Sequence, residues 1–149
     1  MREYIFLSKD DDLDWKKYVE LADNLARIDK TYLDFELGHH ASVFAYYSGL
    51  LNEAKAKSEL TQHYLDKLEA DIRSREDAKY RLENKSKPTD KYLESKVLSD
   101  EEYNSLKQQK LTLDHRFNLL KGLISSLEHR KDCLIQISSN SRKEMGIYG

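Results

Sequence analysis

The side chains best placed to do chemistry in this 149-residue chain form a basic cluster: Arg73, Arg75, Lys79, Arg81, Lys85 and Lys87, with Tyr80 and Tyr92 among them. Spaced Lys and Arg neutralise the phosphates of a flexible polyanion, and flat phenol rings offer faces on which unstacked bases can rest. At an exposed turn, that mixture suits sequence-tolerant binding of a single strand. A second reading stands beside it. Glu76, Asp77 and Glu83 are interspersed, and pairs four residues apart such as Asp77 with Arg81 also describe an ordinary solvated helix face. A further basic group, His129, Arg130, Lys131, Arg142 and Lys143, lies toward the C-terminus, where positive charge compensates a helix macrodipole.

Other chemistries find few residues. His39 and His40 are neighbours, so on a helix they point ~100° apart and cannot share an ion. His129 and Cys133 are four apart and could face one ion, but two ligands do not make a site. Cys133 is the single cysteine, which leaves neither a disulfide framework nor a cysteine-rich zinc site and points to a reducing cytoplasm. It reads as a small packing residue rather than a nucleophile, since no base can be assigned to it by spacing. There is no phosphate-binding glycine loop, no Gly-flanked serine and no isolated carboxylate pair. The expectation is a protein that is not an enzyme, with no catalytic residues, no metal and no cofactor.

Composition sets the scaffold. Hydrophobic residues make up 39% and charged residues 35%, with five glycines and one proline, which favours long exposed helices over sheets. The net charge of -2 gives no global attraction to nucleic acid, so any such binding must be local. Charge is graded along the chain. Residues 1–38 carry 6 Lys/Arg against 10 Asp/Glu, residues 39–106 carry 11 against 13, and residues 107–149 carry 8 against 4. No continuous apolar run is long enough for a membrane span, and the start has no signal-peptide core, so a cytoplasmic location is expected.

The elements follow from periodicity. Tyr4 to Leu7 reads as an extended arm and Ser8 to Asp14 as an acidic stretch rich in N-caps. Tyr18, Leu21, Leu25, Ile28, Tyr32 and Phe35 then recur every three or four residues on one helical face, a stripe that loses phase near Gly38. A second stripe starts at Leu37, His40, Phe44, Tyr47, Leu51 and Ala54, passes the polar pair Ser58 and Thr61, and resumes at Leu65, Leu68 and Ile72. It predicts a helix over about 39–84.

Asn84 to Pro88 breaks that helix, because proline removes a donor and steers its predecessor out of the helical region. Thr89 can cap a short helix through about Val97. Ser99 with Glu102 makes a capping box for the last helix, whose a/d positions run from Tyr103 through Leu106, Lys110, Leu113, Phe117, Leu120, Ile124 and Leu127 to Ser141 as a heptad series.

The expected fold is all-α: a long antiparallel, coiled-coil-like helical hairpin over 39–149 with its turn near 84–99, preceded by an acidic segment and helix over 1–38. Leu60, Tyr64, Leu111, Leu119, Leu123 and Ile135 fall outside the hairpin seam, at roughly 1.5–3 kcal/mol for each large side chain left wet. The N-terminal helix can cover some of them but is too short to cover all, so assembly into a homo-oligomer, a ring or a bundle, is expected to cover the rest.

The order of these parts resembles the phage recombination mediators of the UvsY type over residues from about 60 to the C-terminus. Ala78-Lys79-Tyr80-Arg81-Leu82 is similar to that family's Lys-x-Arg-Leu element at the end of a long helix. Lys91 to Asp100 resembles the segment leading into its final helix. Leu119 to Leu123, Arg130 to Ile135 and Ser139 to Glu144 match that helix in style. The resemblance implies a ring-like homo-oligomer that binds single-stranded DNA through Lys79 and Arg81. It also implies that the protein helps load a RecA-like recombinase onto DNA covered by single-strand-binding protein. The alternative is a structural or adaptor coiled coil that binds only protein partners.

Overall fold

A computed structural model describes residues 3–146. Among them there is no strand: the chain forms α1 (Trp15–Ala26), a short 3-10 turn (Lys30–Tyr32), α2 (Leu33–Asn84), α3 (Asp90–Ser99) and α4 (Glu101–Gly146). No helix is long and apolar enough to cross a membrane. The chain divides into two compact units, one built from Met1–Glu53 and Arg116–Gly149, the other from Ala54–His115. Both α2 and α4 contribute a segment to each.

The N-terminal helix ends earlier than its stripe implies. Arg27 is extended at the end of α1, and the Asp29 side chain accepts from the Thr31 amide to start the 3-10 turn. A local side-chain cap has outcompeted continued helix. α2 consequently starts at Leu33, six residues before the expected 39, and runs 52 residues through Gly38 without interruption. At ~1.5 Å per residue that is about 78 Å. The phase change near Gly38 therefore marks a shift in which face is buried, not a break.

In the first unit, α1 buries Leu21 and Leu25. The Tyr18 ring of α1 lies so near Gly122 of α4 that a Cβ there would stand 2.6 Å from its hydroxyl. Glycine is what lets that ring come so close to α4. Leu119 and Leu123 are 8% and 0% exposed, so two of the six residues outside the expected seam are covered within the subunit itself. Leu60, Tyr64, Leu111 and Ile135 are each at least half exposed, as the pattern implied.

The arm over residues 3–8 is extended and held by side chains. The Ile5 amide donates to Asn24 Oδ1, the Leu7 amide to Tyr47 Oη, and the Tyr46 hydroxyl to the Leu7 carbonyl. Leu7 is fully buried as a result. The acidic segment after it is tied down by Arg116, whose guanidinium donates to the carbonyls of Lys9 and Asp11.

The second unit has a leaner core, centred on Ala54, Leu65, Ile72 and Val97. Ser58 hydroxyl and Lys110 ammonium both donate to Asp114, and the Lys110 ammonium lies 2.8 Å from that carboxylate. These hydrogen bonds, Lys110's first and then Ser58's, hold the Asp114 carboxyl below the usual carboxylate range. The polar positions in both stripes thus satisfy one another, and a polar layer of this kind fixes register at some cost in stability. The Asp100 side chain caps α4 by accepting from the Tyr103 amide at 2.9 Å. The expected capping box therefore shifts by one residue: Ser99 closes α3 instead, its hydroxyl bonded to the Lys96 carbonyl.

Candidate nucleic-acid interface

Seven of the eight basic and aromatic residues singled out, Arg73, Arg75, Lys79, Tyr80, Arg81, Lys85 and Lys87, lie in the second unit, on the last three turns of α2 and in the connection after it, and the eighth, Tyr92, is on α3. Helical geometry separates them into two sets. Arg73, Asp77 and Arg81 follow one another along one side of α2, while Arg75 and Lys79 follow along another. Residues two apart are rotated by about 200°, so Lys79 and Arg81 project to nearly opposite sides and cannot grip one phosphate together.

The arginines are engaged. Arg73 pairs with Glu69 at 3.2 Å and Arg81 with Asp77 at 2.9 Å, both one turn away on α2. Arg75 reaches Glu76 at 3.9 Å and Asp100 at 3.8 Å. Such exposed pairs stabilise by at most about 1 kcal/mol, little enough for a phosphate to displace the carboxylate. Lys79, Lys85 and Lys87 are exposed, and none forms an ion pair among the described residues. From 79 to 91 the chain carries five basic side chains (Lys79, Arg81, Lys85, Lys87, Lys91) against two acidic ones (Glu83, Asp90), a local +3 in a chain whose net charge is negative.

The connection has a defined shape. Lys85 takes a left-handed backbone, φ 53°, and its amide donates to the Arg81 carbonyl at 2.9 Å to close α2. Glycine is the usual residue at such a position, because a Cβ there costs about 1–2 kcal/mol. Pro88 is buried beneath the turn, and the Thr89 side chain caps α3 at the Tyr92 amide. Lys85→Gly is expected to raise the unfolding free energy by about 1 kcal/mol, or a few degrees in thermal midpoint. A thermal melt checks this; an unchanged or lowered midpoint would mean that the left-handed turn carries no such cost.

Tyr80 and Tyr92 meet with ring centroids 4.8 Å apart and planes inclined by 58°. The Lys96 ammonium sits 5.4 Å from the Tyr92 ring centre. Both rings are half-buried. Lys91 and Lys96 extend the positive surface onto α3. The sequence signal for them was the cap at Thr89, which begins a helix whose first turn must lie beside the end of α2.

The second basic group reads differently in the structure. Arg130 does not serve the end of α4: it is buried in the first unit, forms an ion pair with Glu36, and both side chains are fully inaccessible. Its guanidinium also donates to His40 Nδ1 at 2.8 Å and to the Tyr4 hydroxyl at 2.6 Å, and the same hydroxyl donates to Glu36 at 2.8 Å. Burial, then the charges of Arg130 and Lys131, pushes the His40 imidazole below its ordinary range. With Nδ1 accepting from Arg130, the ring is neutral and its proton is on Nε2, which has no partner among the described residues. The hint in the sequence was Glu36 and His40, four apart where a buried stripe begins. His39 instead is exposed and bonds back to the Phe35 carbonyl.

Cys133 is exposed beside His129, contrary to the packing role expected for it, because Arg130 and Leu134 take the inward positions of that turn. Among the described residues no three His, Cys, Asp or Glu side chains are grouped to hold a metal ion. No family model, curated protein or solved structure matches this chain.

Proposed function

We propose that this protein is a non-enzymatic, homo-oligomeric mediator that binds single-stranded DNA and helps load a RecA-like recombinase onto DNA covered by single-strand-binding protein. The observation that carries the DNA-binding part is the turn itself: three exposed lysines without ion pairs among the described residues, Lys79, Lys85 and Lys87, around the half-buried rings of Tyr80 and Tyr92. Lysines of this kind exchange only water and counterions for phosphate, and released counterions drive the association. The rings supply sequence-tolerant stacking. Arg73, Arg75 and Arg81 add contacts once their carboxylates are displaced.

The mediator role draws on the resemblance of the 78–82 element and of the segments after it. In this reading α2 and α4 form a long antiparallel hairpin, and several copies join as a ring or bundle that covers Leu60, Tyr64, Leu111 and Ile135. Repetition of a modest basic corner multiplies its grip without new contacts. The recombinase and the single-strand-binding protein are the protein partners.

The ion pairs Arg73–Glu69 and Arg81–Asp77 favour a second reading, a structural or adaptor coiled coil that binds only protein. Fluorescence titration of a labelled oligonucleotide over a salt series, comparing the parent with Lys79→Ala/Arg81→Ala, separates them. The mediator loses affinity and shows a shallower salt slope in the double variant. Equal affinity and slope would remove these two residues from the interface.

A further inference from the structure

Along α2 in the second unit, Leu60, Tyr64, Lys67, Asp71, Ser74 and Ala78 recur at spacings of four, three, four, three and four. All six are exposed, which is the a/d rhythm of a second seam on a helix that already has one. The seam is about 27 Å long at ~1.5 Å per residue. Its middle forms one wall of a groove lined by Tyr64, Lys67, Leu68 and Asp71 of α2 and by Glu102 and Leu106 of α4. Lys67 and Asp71 form no ion pair within the chain among the described residues, although they are one turn apart and other such pairs on α2 do bond.

We infer that this groove takes the same face of α2 from a second copy of the chain, antiparallel and related by a two-fold axis level with residue 69. The inference rests on the self-association in the function proposed above and names one of its interfaces, since a two-fold contact closes at two copies and a larger assembly needs a second face. In that register Lys67 faces the second copy's Asp71, and the pair occurs twice by symmetry. Tyr64 faces Ser74 and Leu60 faces Ala78, so each large side chain meets a small one, as interdigitating layers require. Leu68, beside Leu106, lies one residue from the axis at the edge of the seam, so its two copies flank the centre.

The alternatives fail on charge. Sliding one helix by a heptad layer in one direction sets Leu60 against Asp71 and Tyr64 against Lys67. Sliding it the other way sets Lys67 against Ala78, and Tyr64 against Arg81. A parallel, in-register approach sets Lys67 against Lys67 and Asp71 against Asp71. Polar residues at seam positions select a register in this manner because the wrong pairings leave a charge unmatched. Glu102 is exposed on the opposite wall and has no required partner in this arrangement.

Sedimentation velocity of the full chain at a series of concentrations tests the pairing with the parent, Lys67→Asp, Asp71→Lys, and the double swap. Each single swap places like charges opposite each other twice and is expected to raise the self-dissociation constant by about tenfold or more. The double swap restores opposite charges and is expected to return it to within about threefold of the parent. Helix content from circular dichroism checks that the exposed substitutions leave each subunit folded. A parent that associates while the single swaps change nothing, or a double swap no better than the singles, overturns this interface and leaves self-association through another face standing. A parent that stays a single subunit at every concentration overturns both.

Discussion

Arg130→Met lowers the unfolding free energy by about 3–5 kcal/mol, because it leaves the Glu36 carboxylate buried without the guanidinium that neutralises it. In a chain of this size that corresponds to a fall in thermal midpoint on the order of 10 °C. Glu36→Leu combined with Arg130→Met is expected to recover most of the loss, since removing both charges removes the desolvation cost as well. Chemical denaturation of the parent, the single and the double variant measures this directly. Near-equal stabilities of single and parent would show that the pair is not buried as described.

The same network sets a pH dependence. In the unfolded chain His40 titrates near its ordinary value of 6.5, whereas in the fold burial and Arg130 hold it lower. Below about pH 6.5 the unfolded state therefore binds a proton that the folded state does not. The stabilisation from a neutral His40 is complete above about 6.5 and is lost as pH falls from there through the lowered folded value. His40→Gln should flatten that part of the stability profile relative to the parent; profiles of equal slope would exclude His40 as the group responsible.

The second large effect is on DNA. Each phosphate contact to a single strand contributes about 0.7 to the slope of log affinity against log salt. Lys79→Ala/Lys85→Ala/Lys87→Ala should therefore lower the slope by about 2 and weaken binding at low salt on the order of a hundredfold. Arg73→Ala/Arg81→Ala should cost much less per residue, because each arginine gives up an ion pair to Glu69 or Asp77 before it can meet phosphate. A larger loss from the arginine pair than from the lysine triple would mean that the strand runs along that side of α2 and not over the turn.

Much of this was written in local pattern. Along α4 the heptad does not hold to the end, since Leu123 and Arg130 are buried there while Lys131 is exposed. The break at Pro88 and the cap at Thr89 depend on residues within a few positions of one another, and both appear where local chemistry puts them. So does the basic cluster, since a helix end and a turn keep sequence neighbours close in space. What local pattern could not carry is long-range competition. Glu36 and Arg130 are 94 residues apart, and nothing near Arg130 distinguishes it from the surface cations beside it. Leu119 and Leu123 are buried, and only Gly122 between them, which the Tyr18 ring of α1 approaches, hinted at such a contact. Gly38 misled in the opposite sense: its low helix propensity, about 1 kcal/mol, does not end α2, which runs through it from Leu33 to Asn84.

Native mass measurement of the full chain at micromolar concentration in dilute salt, with and without a short single-stranded oligonucleotide, probes assembly and ligand in one experiment. The account expects several copies per particle, an oligonucleotide bound to the particle, and its release as salt rises. A lone subunit with the oligonucleotide left free would contradict it.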